Sequence, residues 1–484
     1  MKIVLVHYHL RPGGVTQVVF HQAAALSEAG EEVLVLSGEA PPLVENWAGI
    51  AVAVVPGLHY DRFRPKESEI SEQNAQAEKL AHLMEETIRQ HWQGGKADII
   101  HVHNPLIRKN SLLIGALKKL SSRAPLLLQN HDLAEDFRPD VYMAEEYPEN
   151  CHYAVINSRD YQFLLEAGLK PQGLHLLPNE VRCLRITEGL LKNKFVYPVR
   201  GIRRKNIGEA LFLSLFTGSS SPETSIAITQ PPTTEQDMPI YNHWKETAAK
   251  LKLPVEFEAG IGASFADVMG RSKAVITTSV KEGFGFSFLE PWTAGLAVAG
   301  RRIDYVCRDF EKAGVYMNNL YPALSIPAEF AESKKLREKT EDSLAKLYAA
   351  FGLSVPSHIL NELDEVFNKD LYDFGIMDEE AQEKIITLAA QDKAVREQIK
   401  KYNPFLEIFS LWKDDPGTIE ANRNAVLRAY SRETIQKTIL ASYQKTLVPV
   451  TQSICRKRLL ELYLDPKCLF PAGISPPETS QLKK

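Results

Sequence analysis

The sequence is poor in the features that mark several classes of protein. Its five cysteines are odd in number and never form a close CxxC pair, so neither a disulfide framework nor a zinc cluster is indicated, and a reducing cytoplasm is the predicted location. No segment approaches the roughly 18 apolar residues that a membrane helix needs. The apolar stretch Met1–His7 is too short for the core of a signal peptide. The net charge of −4 gives no general basic field, which argues against nucleic acid as a partner.

The chain does contain the alternation of strands and helices that predicts parallel sheets. Hydrophobic residues make up 44% and charged residues 24% of the 484 residues, which is typical of a soluble globular protein with two or three domains. A buried strand over Lys2–His7, a loop with Gly13 and Gly14, and a helical pattern from Val15 begin a βαβ unit. A second round of alternation begins at Phe195. We therefore expect two successive doubly wound α/β sheets, with the ligand in the cleft between them.

In the second half, a glycine-spaced loop with two glutamates follows the apolar strand Ala274–Thr278. Gly283 and Gly285 lack Cβ atoms, so the backbone can approach a ligand closely and offer N–H donors. Glu282 and Glu290 bracket the loop, and each carboxylate can accept two sugar hydroxyls. The pattern indicates a carbohydrate site, and the alternative is an ordinary tight turn.

A run of cations follows the strand Phe195–Pro198. Arg200, Arg203, Arg204 and Lys205 lie between this strand and a predicted helix over Ile207–Phe216. An anion at such a junction would meet both the cations and the N-terminal dipole of the helix, and phosphate is the natural anion. The alternative is a solvated basic loop.

Polar residues also end a strand in the first half, where Leu126–Gln129 leads into Asn130, His131 and Asp132. Because the carboxyl ends of parallel strands meet at one edge of a sheet, His131 is a candidate ligand contact. The alternative is a loop histidine whose hydrogen bonds are made by its neighbours.

The order and spacing of these motifs resemble those of the retaining GT-B glycosyltransferases of family four, which use nucleotide-diphosphate sugars. That family carries a Glu-x7-Glu motif, matched by Glu282 and Glu290, and an Arg-x4-Lys pair, matched by Arg200 and Lys205. Further matching segments are Gly13–Gly14, Asn130–Asp132, Asn157–Ser158, Pro178–Asn179 and Asn424–Ser431. From its residue type and place after an apolar strand, Ser158 is also a predicted helix N-cap. The resemblance implies two Rossmann-like domains that face a central cleft, and transfer of a hexose with retention of configuration.

The resemblance also implies roles for individual residues. The catalytic residues it implies are Glu282, His131, Arg200 and Lys205. Arg200 and Lys205 would hold the diphosphate, Glu282 the donor hexose and Glu290 the ribose. The donor would also contact backbone amides of Gly283, Phe284, Gly285 and Phe286. His131 would contact the donor sugar from the opposite domain, and Gly13 and Gly14 would lie near phosphate or acceptor. No metal and no cofactor are implied, and a UDP-sugar is favoured over a GDP-sugar as co-substrate.

The predicted organisation has four parts. Residues 1–184 form a Rossmann-like domain on the acceptor side, and residues 190–328 form a second one that binds the donor. Residues 329–405 are a charge-rich helical insertion, and residues 406–484 are closing helices and a tail that return to the first domain. Within the insertion, the segment from Asp378 to Lys401 is predicted to be one helix, because it is acidic at its start and basic at its end. The insertion departs from the family pattern, as do Glu180 in place of the usual glycine after Asn179 and the bulky Phe286–Phe288 segment.

The predicted function is a hexosyltransferase of carbohydrate metabolism with a small polar acceptor. The first alternative is a lipid-linked or polysaccharide acceptor, since two amphipathic segments could contact a membrane: a predicted helix with Arg108, Lys118 and Lys119, and the tail from Arg456 to Leu462. Packing of both on the protein itself is favoured. The alternative of another class is a sugar-nucleotide binding module without catalysis. The patterns leave the acceptor and the oligomeric state open.

Overall fold

The protein is described by a computed structural model covering residues 1–41, 47, 49–61, 70–143, 145–218 and 224–465. The chain forms two compact units. The first comprises Met1–Glu180 together with Ala429–Leu464, and the second is built from Val181–Arg428.

A parallel sheet forms the centre of the first unit. Its strands, within the described residues, are β1 (Lys2–His7), β2 (Glu32–Ser37), β3 (Ala51–Val54), β4 (Ile99–His103), β5 (Leu126–Asn130), β6 (His152–Val155) and β7 (Leu174–Leu176). They lie in the order β3-β2-β1-β4-β5-β6-β7, and every neighbouring pair is parallel. The order reverses between β1 and β4, which is where doubly wound sheets bind ligands at their carboxyl edge.

Helices cover both faces of this sheet. They are α1 (Gly14–Glu28), α2 (Ile70–His91), α3 (Leu113–Leu120), α4 (Ser158–Glu166), α16 (Arg432–Thr446) and α17 (Arg456–Tyr463). Along β1, Val4 and Val6 belong to one core cluster and Ile3 and Leu5 to another, because successive strand residues point to opposite faces. The middle of the strand, residues 3–6, is therefore apolar on both faces, as in buried parallel strands.

The second unit repeats the plan. Its parallel sheet, within the described residues, contains β8 (Lys194–Arg200), β9 (Ser225–Gln230), β10 (Val255–Glu256), β11 (Ser272–Thr277), β12 (Val298–Arg301) and β13 (Leu320–Tyr321). The order is β10-β9-β8-β11-β12-β13. The reversal falls between β8 and β11, so the loops that follow these two strands meet at the switch point.

The second unit carries two sets of helices. Those that alternate with its strands are α5 (Ile207–Ser214), α6 (Met238–Leu251), α7 (Phe265–Gly270), α8 (Glu290–Thr293) and α9 (Asp304–Lys312). After β13 come a small antiparallel pair, β14 (Ser325–Pro327) and β15 (Leu371–Asp373), and an additional helical region. Its helices are α10 (Ser333–Ala350), α11 (Ser357–Phe367), α12 (Glu379–Gln391), α13 (Lys393–Tyr402) and α14 (Glu407–Ser410). Helix α15 (Pro416–Tyr430) then leads back into the first unit.

The closing helices pack as their patterns predict. Ser431 caps α16 by accepting from the backbone N–H of Thr434, and the stripe Ile435, Ile439 and Tyr443 is buried in the core of the first unit. In the tail helix α17, Leu459 is buried in the same unit and the Tyr463 hydroxyl donates to Asp160 at 2.7 Å. The apolar face of this helix is therefore covered by protein.

Three local predictions need correction. Asn157, not Ser158, is the N-cap of α4, because its side chain accepts from the backbone N–H of Asp160 at 2.9 Å. Arg108 lies outside the helix predicted to contain it, since α3 begins at Leu113. The segment from Asp378 to Lys401 is two helices rather than one, and Asp392 starts the second by accepting from the N–H of Ala394 at 2.7 Å.

Among the helices formed by the described residues, none has the length and apolar character needed to cross a membrane.

Candidate active site

Two loops of the second unit carry the predicted donor-binding residues. We call residues 200–206, which follow β8, the cationic loop, and residues 281–290, which follow β11, the glutamate loop. Since β8 and β11 are neighbours at the switch point of the sheet, their carboxyl ends place the two loops side by side.

The two loops are joined by a buried ion pair. The Lys205 ammonium contacts the Glu282 carboxylate, and Arg204 lies 3.8 Å from the other carboxylate oxygen. The side chains of Lys205 and Glu282 are only 12% and 9% exposed. Neither charge is well hydrated there, so each compensates the burial of the other.

The pKa values of both members of this pair are shifted downward, for different reasons. Burial lowers the pKa of Lys205, against the opposing attraction of Glu282. Burial also acts to raise the pKa of Glu282, but the two cations Lys205 and Arg204 outweigh it and hold that pKa below its ordinary value. Both pKa values are therefore lowered: that of Lys205 by burial and by repulsion from Arg204, and that of Glu282 by its two neighbouring cations. We take the pair as ionised, with Glu282 as a carboxylate able to accept hydroxyl donors.

The backbone of the cationic loop is fixed by the strands beneath it. The Tyr197 hydroxyl of β8 donates to the Lys205 carbonyl at 2.9 Å, and the Thr278 hydroxyl donates to the same oxygen at 3.0 Å. The backbone N–H of Val280 donates to the Arg204 carbonyl at 3.1 Å. These bonds set the height of Lys205 above the sheet edge.

The glutamate loop turns sharply at Gly285, whose φ of +88° is in the left-handed region. A Cβ at this position would lie 2.9 Å from Val306 Cγ1, so glycine is required by both conformation and space. Phe284 and Phe286 flank it edge to face, with ring centres 5.0 Å apart. The Tyr305 hydroxyl holds the start of the loop by donating to the Glu282 carbonyl.

Glu290 begins the short helix α8 at the far end of the loop. Burial raises its pKa to about 7, and Arg182 opposes this effect. The group therefore titrates near neutrality, and the carboxylate form, which can accept two vicinal hydroxyls, gains population as the pH rises through that value.

Arg200 is placed differently from Lys205. It ends β8 with an exposed side chain, and among the described residues it has no ion-pair partner. Arg203 pairs with Glu379 of α12 at 2.5 Å. Of the predicted donor residues, the structure thus brings Lys205 into contact with Glu282 and leaves Arg200 in solvent at the same sheet edge.

The remaining predicted residues lie at the carboxyl edge of the first unit's sheet. Gly13 and Gly14 stand at the start of α1, after β1. His131 follows β5 and stacks on His103, with His131 Nε2 3.1 Å from His103 Nδ1. Burial lowers the pKa of His131 to about 4, against the opposing charge of Asp132, so its imidazole is neutral at physiological pH and can act as a hydrogen-bonding group.

Asn104, after β4, was not singled out from the sequence, yet it fixes the position of His131. It adopts φ of +53°, and its side-chain oxygen accepts from the backbone N–H groups of His131 at 2.6 Å and Asp132 at 3.2 Å. Nearby buried atoms without a hydrogen-bond partner among the described residues include His103 Nε2 and Asn130 Oδ1. The sequence signal for Asn104 was a polar residue directly after a strand: β4 ends at His103 and is followed by Asn104, as β5 ends at Asn130 and is followed by His131.

The described part of the chain contains no group of three or more histidine, cysteine, aspartate and glutamate side chains arranged to hold a metal ion.

Comparison with known proteins gives three kinds of similarity. Residues 13–158 match the Glycosyl transferase 4-like domain family. Over 449 residues, the chain is 26% identical to the mannosylglucosyl-3-phosphoglycerate synthase of Petrotoga mobilis, and the match covers 84% of each chain. Among solved structures, Anabaena HepE in complex with UDP-glucose matches 92% of this chain and 99% of its own, with a TM-score of 0.52 and 14% identity.

Two further solved structures agree in fold. A glycosyltransferase from Rickettsia africae matches 92% of this chain and 98% of its own, with a TM-score of 0.50 and 14% identity. Starch synthase IV of Arabidopsis thaliana, bound to ADP and acarbose, has a TM-score of 0.51 and 10% identity, and covers 92% and 99% of the two chains. The predicted fold class, two doubly wound α/β domains of the GT-B type with an additional helical region, is confirmed.

Proposed function

We propose that the protein is a retaining glycosyltransferase of family four that moves a hexose from a nucleotide-diphosphate sugar to a small polar acceptor. The observation that carries the proposal is the buried contact between Lys205 and Glu282 at the switch point of the second sheet. The match of residues 13–158 to a Glycosyl transferase 4-like domain and the similarity to a named sugar-transferring synthase support it.

The proposed roles follow from charge and geometry. Lys205, with the exposed Arg200 at the same sheet edge, stabilises the negative charge that develops on the departing nucleotide diphosphate, and preorganised cations in a partly buried site do this most effectively. Glu282, whose pKa is held low by Lys205 and Arg204 against the effect of burial, accepts hydrogen bonds from hydroxyls of the hexose. Backbone N–H groups of residues 283–286 complete the donor site, and Glu290 accepts the ribose hydroxyls. Neutral His131 and the Gly13–Gly14 loop keep their predicted roles toward the hexose and toward phosphate or acceptor.

The reaction can be written without a protein nucleophile. The bond between the anomeric carbon and the phosphate oxygen breaks, and its electron pair leaves with the nucleotide diphosphate. The acceptor oxygen bonds to the same face of that carbon, and its proton passes to a departing phosphate oxygen. Retention of configuration follows, and NMR of the product made from an α-linked donor should show an α-glycoside. A β-glycoside would contradict this part of the proposal.

We further propose that the acceptor carries a phosphate or carboxylate. The Petrotoga relative is named for a product that contains 3-phosphoglycerate. In the first unit, Lys109 Nζ lies 5.6 Å from the Tyr60 ring centre. Burial raises the pKa of Tyr60, and Arg138 and Arg11 act against it, so both guanidinium groups lie within electrostatic reach of the same ring. Arg11 also pairs with Glu39, and Arg138 lies 3.5 Å from Asp132. Lys109, Arg11 and Arg138 are the cations that we propose to bind the anionic group of the acceptor.

A panel of acceptors tests the acceptor class. With a fixed donor, we expect phosphorylated or carboxylated glycosides to be used at least tenfold better than neutral glycosides of the same sugar, since each charge-assisted hydrogen bond is worth more than about 1.4 kcal/mol. Equal use of neutral acceptors would contradict the proposal. The lipid-linked alternative is tested by flotation with anionic vesicles, where we expect the protein to stay in the dense fraction.

The titration of Glu290 gives a pH-dependent prediction. Because its pKa is raised to about 7 by burial, the carboxylate that accepts ribose hydroxyls is scarce at pH 6 and dominant at pH 8. We expect the dissociation constant of an intact nucleotide sugar to fall by up to about tenfold across that interval. Calorimetric titration at the two pH values measures it. In Glu290→Gln the dependence should disappear, and an unchanged pH dependence in that variant would refute the assignment.

A further inference from the structure

Helix α12 of the additional helical region contacts the cationic loop directly. Arg203 donates through Nε and a terminal nitrogen to the two carboxylate oxygens of Glu379, at 2.5 and 3.0 Å. Gln382, which is 2% exposed, donates through Nε2 to Asn206 Oδ1 at 2.9 Å. Both contacts come from α12, which is not one of the helices that alternate with the strands of the second sheet.

Asn206 is the residue at which the cationic loop turns into α5. Its φ of +50° lies in the left-handed region, which is uncommon for a residue other than glycine. The side chain is buried, and its Nδ2 donates to Glu209 Oε2 at 2.8 Å while its Oδ1 accepts from Gln382. Both ends of the amide are therefore used to keep a turn that the backbone alone disfavours.

The neighbouring sequence leaves space for this contact. Gly208 lies in the first turn of α5, and a Cβ there would be 2.3 Å from Gln382 Oε1 and 2.8 Å from the Trp244 ring. Gln382 also donates to the Phe374 carbonyl at 3.1 Å. Its amide is therefore hydrogen-bonded both to the turn that precedes α12 and to the cationic loop. The fit is specific to a glutamine on α12 beside a glycine on α5.

Lys205 precedes Asn206 directly, so the turn decides where the Lys205 side chain points. We propose that Gln382 and Glu379 are positioning residues for Lys205: they fix the turn at Asn206 and the adjacent Arg203, and so hold the Lys205 ammonium against Glu282. This inference rests on the proposed function of Lys205. It assigns the helical region a role in catalysis at the donor site.

Gln382→Met tests the inference, because methionine keeps the length of the side chain and removes the hydrogen bond. We expect kcat to fall about 10-fold to 100-fold with less than about a threefold change in the donor KM, as for an interaction needed mainly in the transition state. The matched control is Gln391→Met, at the exposed end of the same helix, which should keep wild-type kinetics. The side chains of Arg203 and Glu379 are each 23% exposed, and Glu379→Gln should lower kcat about threefold to tenfold. This variant serves where Gln382→Met fails to fold.

A double-mutant cycle separates positioning from general destabilisation. In the Lys205→Ala background, measured by single turnover at high enzyme concentration, Gln382→Met should cause no further loss. An equal loss in both backgrounds, or wild-type kinetics in both Gln382→Met and Glu379→Gln, would overturn the inference. Failure of the proposed function is distinguishable, because then Lys205→Ala itself would leave the wild-type rate unchanged.

Discussion

Replacing Lys205 by alanine should lower kcat by about 100-fold to 1,000-fold and change the donor KM little. The cation stabilises charge that appears only as the diphosphate departs, and loss of one preorganised group of this kind costs about 2.7–4 kcal/mol of transition-state stabilisation. Steady-state release of nucleotide diphosphate measures the effect. Lys250→Ala, which removes an exposed lysine from α6 in the same unit, is the matched control and should behave as wild type.

Glu282→Ala should nearly abolish turnover as well, for a related reason. It removes the proposed acceptor of the hexose hydroxyls and also leaves the buried Lys205 ammonium without its partner. The pair should show strong non-additivity, so the double variant Lys205→Ala/Glu282→Ala should be little worse than either single variant. If turnover survives both single substitutions, Lys205 and Glu282 do not belong to the active site.

The second large effect is expected on stability, from Arg301→Met. The side chains of Arg301 and Glu209 are 1% and 0% exposed, and Arg301 donates to Glu209 at 2.6–3.0 Å and to Asp373 at 2.7 Å. Methionine fills similar space but leaves the Glu209 carboxylate buried without its cation. Breaking such a pair from one side costs about 3–5 kcal/mol, which should appear as a lower midpoint of urea unfolding.

The adjacent residue provides the control for this experiment. Arg302 pairs with Glu311 and Asp304, whose side chains are 41% and 56% exposed, so Arg302→Met should cost no more than about 1 kcal/mol. Equal destabilisation by the two substitutions would contradict the view that the network of Arg301, Glu209 and Asp373 joins the helical region to the second sheet.

The sheets were predictable because their strands are apolar on both faces. Along β1 and β11, nearly every residue is buried, and a short run of this kind between glycine-containing loops is typical of a central strand between layers of helices. The loops after β8 and β11 could therefore be located at a sheet edge. That Lys205 and Glu282 touch could not be read from the sequence, because they lie 77 residues apart and their contact depends on which strands are neighbours.

The contacts between the additional helical region and the cationic loop could not be predicted from the sequence, for a similar reason. Gln382 and Asn206 are separated by 176 residues, and α12 reads by itself as an ordinary charged helix. Its break from α13 at Asp392 was missed because the charge pattern of the segment, acidic at its start and basic at its end, fits one long helix equally well. The N-cap at Asn157 was missed by one position, since asparagine and serine are both good caps.

The most direct measurement is release of nucleotide diphosphate from a panel of UDP-linked and GDP-linked hexoses, with and without anionic and neutral acceptors. We expect acceptor-stimulated release from at least one of these donors by the wild-type protein, with a UDP-sugar preferred. The Lys205→Ala variant should release the nucleotide at least about 100-fold more slowly. Tight binding of a nucleotide sugar with no release from any donor, or release that Lys205→Ala leaves unchanged, would contradict the proposed function and favour a protein that binds sugar nucleotides without transferring them.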